Sequence, residues 1–257
     1  NEIAEKHPHY DEIGERRMRE KYEGAFVFQP NPGLYENICF FDFTSMYASI
    51  IVSYNLSKST LTNQEKNSYE SMIENKKVYF SKEQGFFPLM LKEIIEKRKK
   101  CKDEYKKNPN PITKARSNAF KLIANAAYGY QGFFGARYYC LEAAASTAYF
   151  ARQNIKEVIE KINKENFEVI YGDTDSIAFK LNKHTQKQTL EFLKKLNSNL
   201  PGIMELDLED FYKRGIWVVK RTGEFGAKKK YALIDENGKI KIRGFETVRR
   251  DWCNLAR

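Results

Sequence analysis

The sequence predicts an α+β fold: an antiparallel sheet with helices on one face, and a helical hairpin inserted into it. Three observations carry that expectation. In "FEVIYGDTDSIAFKL" (167–181), Ile177, Phe179 and Leu181 alternate beyond a polar turn, as the half-buried strand of a β-hairpin does. "NPNP" (108–111) separates two stretches of helical periodicity, which makes an αα-hairpin. The coarse order is strand, helix, helical hairpin, long helix, β-hairpin, helix and further strands, an α+β order.

Residues 1–21 are charged and helical in flavour, a solvated lead-in. "ENICFFDF" (36–43) is a short apolar run that reads as a buried strand ending at Asp42. "SMYASIIVSY" (45–54) reads as strand or helix by propensity, with a strand-to-helix turn after Asp42 as one arrangement. Residues 57–87 are polar and read as a loose connection or small subdomain. Pro88 sits at the favoured first position of a helix over 88–107, in which Leu91, Ile94 and Ile95 share a face. A second helix is expected from about Thr113 to Tyr128, with Gly129 as its C-cap. A long helix over 141–163, an amphipathic helix over 185–198 and two strands within 215–236 follow. "DENGK" then supplies a turn before "IKIRGFETVRRD".

The 257 residues suffice for a sizeable core, in one large domain or two smaller ones. A net charge of +10 points to a polyanionic partner, nucleic acid ahead of an anionic membrane. The four cysteines form no C-x-x-C pair, so neither a zinc site nor a disulfide framework is suggested, and a reducing compartment fits. No stretch of about 18 apolar residues is present to span a membrane. No signal peptide is seen, and the first residue is Asn1 rather than Met, so a fragment or processed product is expected.

Asp42 ends an apolar strand, and Asp173 and Asp175 stand at a hairpin tip. Neighbouring strands of one sheet would gather these carboxylates, and a divalent cation relieves their repulsion. Oxygen ligands without His or Cys favour Mg²⁺. Taken alone, "DTD" reads as a turn, because Asp is a common turn residue. Arg98 and Lys102 are spaced i, i+4, and Lys121, Asn125 and Tyr128 share a face of the second helix. Arg98 and Lys121 each lie about eleven residues, roughly 17 Å, from the turn near Pro109, so both helices could grip one anion. Taken alone, "KRKKCK" reads as a solvated charge run.

Together these pieces resemble the family B DNA polymerases, in their archaeal-like branch, over nearly the whole chain. "DFTSMYASII" (42–51) is similar to motif A, "KLIANAAYGYQGF" (121–133) to motif B and "YGDTDS" (171–176) to motif C. "YEGA" (22–25) resembles the Y-x-G-[GA] link, "KKKY" (228–231) the K-K-R-Y motif, and "ETVRRDW" (246–252) the lead into the thumb. Six motifs in the family's order distinguish this reading from chance. Ala48, Met46, Ala126 and Lys230 depart from the family's Pro, Leu, Ser and Arg, and none of these changes removes an expected metal ligand.

The resemblance implies a palm with a fingers insertion. Residues 1–24 would be the lead-in and link, 25–63 the first part of the palm, 64–128 the fingers and 129–257 the second part of the palm, ending at the thumb boundary. Asp42 and Asp175 would bind two Mg²⁺ ions, for which Mn²⁺ could substitute, with the Phe43 carbonyl as a further ligand and Asp173 as a supporting carboxylate. Ser45 and Met46 would offer backbone amides, and Arg98, Lys102, Lys121 and Asn125 side chains, to the triphosphate of a dNTP. Tyr47 would be the steric gate against a 2′-hydroxyl, with Tyr128 near the nascent base pair. Tyr22, Gly24, Gly129, Lys228, Lys229, Lys230 and Tyr231 would contact primer–template DNA. No D-x-E exonuclease motif precedes residue 42, and the chain ends where the family's thumb would begin. The expectation is therefore a palm-and-fingers piece or a subunit whose thumb and exonuclease come from a separate chain. An intracellular location, the cytoplasm of a prokaryote ahead of a nucleus, fits. A DNA-binding or scaffold fragment, inactive alone or dependent on a partner, is the competing class. A nucleotidyl cyclase would leave motif B and "KKKY" without a task.

Overall fold

The computed structural model of the protein describes residues 6–19, 22–220, 226–249, 253 and 255. The first elements are α1 (Tyr10–Arg17), β1 (Gly33–Phe43), α2 (Met46–Ser53), β2 (Leu61–Thr62), β3 (Ser68–Ile73) and β4 (Lys76–Ser81). Then come α3 (Phe86–Lys107), α4 (Pro111–Gly132), α5 (Leu141–Lys164), β5 (Glu168–Asp173) and β6 (Ser176–Lys180). The chain continues through α6 (Gln186–Asn197), β7 (Leu206–Val219), β8 (Gly226–Ile234) and β9 (Ile240–Arg243). The α+β class and the antiparallel sheet expected from the sequence are both present. Part of "ETVRRDW", residues 250–252, lies outside the described residues, as do 1–5, 20 and 21 of the lead-in. The chain divides into two compact units.

One unit comprises Ala25–Phe43, Arg152–Asn199 and Glu205–Arg257. Its sheet has the order β5-β6-β1-β7-β8-β9, with every neighbouring pair antiparallel. In β1, Ile38, Cys39, Phe40 and Phe41 are all fully buried, which explains why this strand is an unbroken apolar run rather than an alternating one. On one face Phe41 meets Phe179 edge-on at 4.8 Å, and Phe167 joins Phe179 to Phe192 of α6 at 5.1 and 5.3 Å. Helix α6 starts at a capping box between Thr185 and Gln188, which satisfies otherwise orphaned N–H groups. On the other face Phe40, Tyr171, Tyr212, Trp217 and Tyr231 form an aromatic core with Ile38 and Leu233. Burying each large side chain is worth about 1.5–3 kcal/mol, so this cluster holds the strands rigidly beneath the turn they carry.

Strand β7 is longer than the sequence suggests. "GIWVVK" marks only its end, and pairing with β1 starts at Leu206 opposite Phe43. Acidic residues at 207, 209 and 210 hide the strand from a hydrophobicity reading, and it forms because β1 offers a full ladder of partners.

The other unit comprises Asn1–Gly24, Thr44–Ala151 and Leu200–Met204. Residues 45–54 resolve as helix: α2 puts Ala48 and Ile51 against Phe87 and Leu91 of α3 and Ala124 and Ala127 of α4. Ile94 and Ile95 pack on the same cluster, as their spacing predicts. Two corrections concern this unit. Helix α3 begins at Phe86, so Pro88 is its third residue; the N–H that proline lacks is one of the orphans of the first turn at that position too. Helix α4 begins at Pro111, capped by the Asn110 side chain on Ile112 N at 2.8 Å, and runs on to Gly132. Gly129 is therefore inside the helix and is no cap, because Gln131 beyond it is buried and donates to Leu56 O at 3.0 Å.

Of the two readings of 57–87, a loose connection or a small subdomain, the second agrees with the structure. The segment holds a three-stranded sheet of order β2-β4-β3. Asn55 ties it down: Nδ2 donates to Ser81 O at 2.7 Å and Oδ1 accepts from Gly85 N at 3.0 Å. Its stabilisation by buried polar groups, Ser57, Thr60 and Ser71 among them, gives no apolar signal to read in the sequence.

Candidate active site

The sheet of the first unit brings the three predicted carboxylates to one end. Asp42 and Asp173 pair with the same residue, Ser176, from opposite sides of β6. Ser176 Oγ donates to Asp42 Oδ1 at 2.7 Å. Thr174 and Asp175 form the two-residue turn between β5 and β6, and Phe43 N donates to Asp175 O at 2.8 Å. Thr174 has φ of 56°, a conformation that costs a β-branched residue energy and tightens the tip. Residues 26–28 clamp this tip along the free edge of β5: Phe28 N donates to Gly172 O at 2.7 Å and Thr174 N to Phe26 O at 3.0 Å. Gly172 permits that approach, since a Cβ there would lie 3.2 Å from Phe28 Cβ.

The two acids of the tip differ in environment. Asp173 accepts from Thr174 Oγ1 at 3.0 Å and Tyr171 Oη at 3.2 Å, and pairs with Lys229 Nζ at 3.2 Å. Burial, and then the nearby charge of Asp42, push the Asp175 carboxyl from an ordinary 3.8 up to about 6. Asp173 adds to that rise, and Lys229 opposes it. Among the described residues no group of three or more His, Cys, Asp or Glu is arranged to hold a metal ion. Asp42 and Asp175 are the carboxylates whose mutual repulsion a divalent cation would relieve.

The "KKKY" residues divide as well. Lys228 and Lys229 are exposed. Lys230 is half-buried, paired with Glu246 at 2.7 Å and lying over the Phe245 ring at 5.0 Å. Tyr231 is buried in the aromatic core.

In the second unit, Ser45 is the N-cap of α2 with φ of 49°, and its side chain does not cap the helix. It accepts instead from the Arg98 guanidinium of α3. Met46 is buried, Lys102 is half-buried, and Lys121 and Asn125 are exposed on α4. The Tyr47 and Tyr128 rings are stacked at 4.3 Å and 7°. Tyr128 Oη accepts from Tyr22 Oη at 3.1 Å. At Gly24 and Gly129 a Cβ would meet nothing within 4 Å.

The match of a sequence model of DNA polymerase family B to residues 5–257 is decisive. The chain belongs to DNA polymerase family B. DNA polymerase 1 of Pyrococcus abyssi (strain GE5 / Orsay) is 39% identical over 265 residues, covering 100% of this chain and 33% of that protein. The DNA polymerase of Archaeoglobus fulgidus is 34% identical over 244 residues, covering 93% and 30%. Among solved structures, the family B DNA polymerase of the hyperthermophilic archaeon Pyrobaculum calidifontis has a TM-score of 0.67 and 33% identity, covering 90% of this chain and 30% of that one. The chain thus spans about a third of the length of the curated relatives it matches. No helix among the described residues is long and apolar enough to cross a membrane.

Sequence reasoning did not identify Ser176 as the hydroxyl that holds Asp42, nor residues 26–28 as the clamp on the tip. Ser176 stands inside motif C and so was within reach. The clamp has no local signal, because an isolated bridge between Val27 and Asp173 depends on a partner 146 residues away.

Proposed function

We propose that this chain is the palm-and-fingers core of a DNA-directed DNA polymerase, with the boundaries 25–63 and 129–257 for the palm and 64–128 for the fingers. The single observation that carries the chemistry is the placement of Asp42 and Asp175 at one sheet end, with Asp175 raised to about 6. Such crowding is unfavourable in a protein that has no cation to bind. Bound divalent cations, Mg²⁺ or Mn²⁺, would activate the primer 3′-hydroxyl and neutralise the leaving pyrophosphate.

The residues of the chain do the rest. Asp42 and Asp175 supply anionic oxygens once Asp175 has lost its proton. Ser176 fixes the Asp42 rotamer. Asp173, held by Lys229 and Tyr171, supports from the side. Arg98, Lys102 and Lys121 neutralise the triphosphate, and Asn125 and the amides of Ser45 and Met46 position it, which is the larger part of phosphoryl-transfer catalysis. Tyr47 excludes the 2′-hydroxyl, backed by Tyr128. Lys228, Lys229 and Lys230, and likewise Tyr22, Gly24 and Gly129, contact the primer–template without reading its sequence, and Tyr231, buried in the aromatic core, holds its strand in place.

Primer extension with Mg²⁺ and dNTPs tests the reading. Asp42→Ala and Asp175→Ala should each lower extension by at least about a thousandfold, as loss of a principal electrostatic stabiliser does. Extension unchanged in both variants would refute it.

A further inference from the structure

We propose that Tyr22 is a positioning residue for sugar selection, acting through Tyr128 on the gate ring of Tyr47. The inference rests on the polymerase reading and extends it, since the resemblance gives Tyr22 only a contact with DNA.

Three observations within one compact unit support it. First, the Tyr47 ring is backed by Tyr128, parallel within 7° at 4.3 Å between centroids. Such a stack couples the two rings, so the place of Tyr128 bears on the place of the gate's edge. Second, the Tyr22 hydroxyl donates to the Tyr128 hydroxyl at 3.1 Å, although the two residues are 106 positions apart. A hydrogen bond at the para position adds a restraint on the Tyr128 ring and, through the stack, on the gate. Third, α4 is shaped to receive Tyr22. Gly132 stands one turn beyond Tyr128 on the same helical face, and a Cβ there would come within 3.2 Å of the Tyr22 hydroxyl. One residue of this i, i+4 pair supplies the partner, and the other supplies the room.

The consequence is chemical. A gate that rejects a 2′-hydroxyl distinguishes two sugars by one oxygen atom, so its edge must be placed to well under an atom's width. Releasing Tyr128 from Tyr22 removes one restraint on the paired rings and raises the admission of ribose.

The test is single-nucleotide primer extension in the natural full-length protein that contains this chain, measuring the ratio of ribonucleotide to deoxynucleotide incorporation. The ratio cancels any loss of DNA affinity, which affects both substrates alike. Tyr22→Phe keeps the ring and removes only the hydroxyl, and it should raise the ratio about fivefold, the factor expected from one lost hydrogen bond. Tyr128→Phe should do the same, and the double variant should show no further rise, because both remove one bond. Gly132→Ala, which crowds the hydroxyl without touching either ring, should also raise the ratio. An unchanged ratio in Tyr22→Phe, or additive effects in the double variant, overturns the inference while the polymerase reading stands. Equal use of both sugars by the unaltered protein overturns the gate, and this inference with it.

Discussion

Replacing Asp175 by Asn should make the protein more stable and inactive at once, and the size of the gain follows from the site. The Asp175 carboxyl is raised from 3.8 to about 6, first by burial and then by Asp42. A raised value means that the folded state binds more protons than the unfolded state between about pH 3.8 and 6. Stability from this group is therefore fully present below pH 3.8 and is lost as the pH rises through about 6. Above that, the fold carries a half-buried, repelled charge. A rise of about two pH units is worth about 3 kcal/mol at ~1.36 kcal/mol per unit. Asp175→Asn removes the charge at every pH. It should gain up to about 3 kcal/mol at pH 8, or roughly 6–12 °C in Tm for a chain of this size, and show little gain near pH 4. Urea unfolding of both proteins at pH 4 and pH 8, with chelator present, measures the gap. A variant no more stable at pH 8, or a gap of equal size at the two pH values, would show that the carboxylates are not crowded as described. The price of function here is local: the site keeps a charge that folding alone would remove.

Two further outcomes test other parts of the molecule. Lys121→Ala should raise the apparent KM for dNTP by about tenfold, the effect of removing one charge-assisted contact to phosphate. An unaltered KM in steady-state extension would remove Lys121 from the triphosphate grip. Gln131→Ala removes the buried bond to Leu56 O and should cost about 1–3 kcal/mol, because that carbonyl stays buried without its donor. A denaturation midpoint unchanged from the parent protein would contradict the burial of this bond.

How much of this was legible beforehand varies with the range of the interaction. The β5–β6 hairpin was readable because its alternation, its turn residues and its pairing all lie within fifteen consecutive positions. The helical hairpin of α3 and α4 was readable for the same reason, although its boundaries shifted by a few residues where buried Gln131 and the Asn110 cap extend α4. The small sheet of β2, β3 and β4 was not, because it is held by polar groups such as Asn55 and Thr60, and hydrophobic periodicity does not report on these. The acidic half of β7 was hidden for a related reason: its reason to be a strand is the open ladder of β1, not its own composition.

The site shows the same division. Motif order alone determined that Asp42, Asp173 and Asp175 are the acids to watch, because residue type and spacing are written in the chain. How their surroundings differ was decided only by tertiary structure. Asp173 has its oxygens engaged by Thr174, Tyr171 and Lys229, while Asp175 is half-buried and its charge is opposed by that of Asp42. Lys229 is 56 positions away in sequence and Asp42 more than twice as far, and no local pattern reports on them. A carboxylate's charge state depends on the medium and the charges within a few ångströms of it, and only the folded sheet sets those distances.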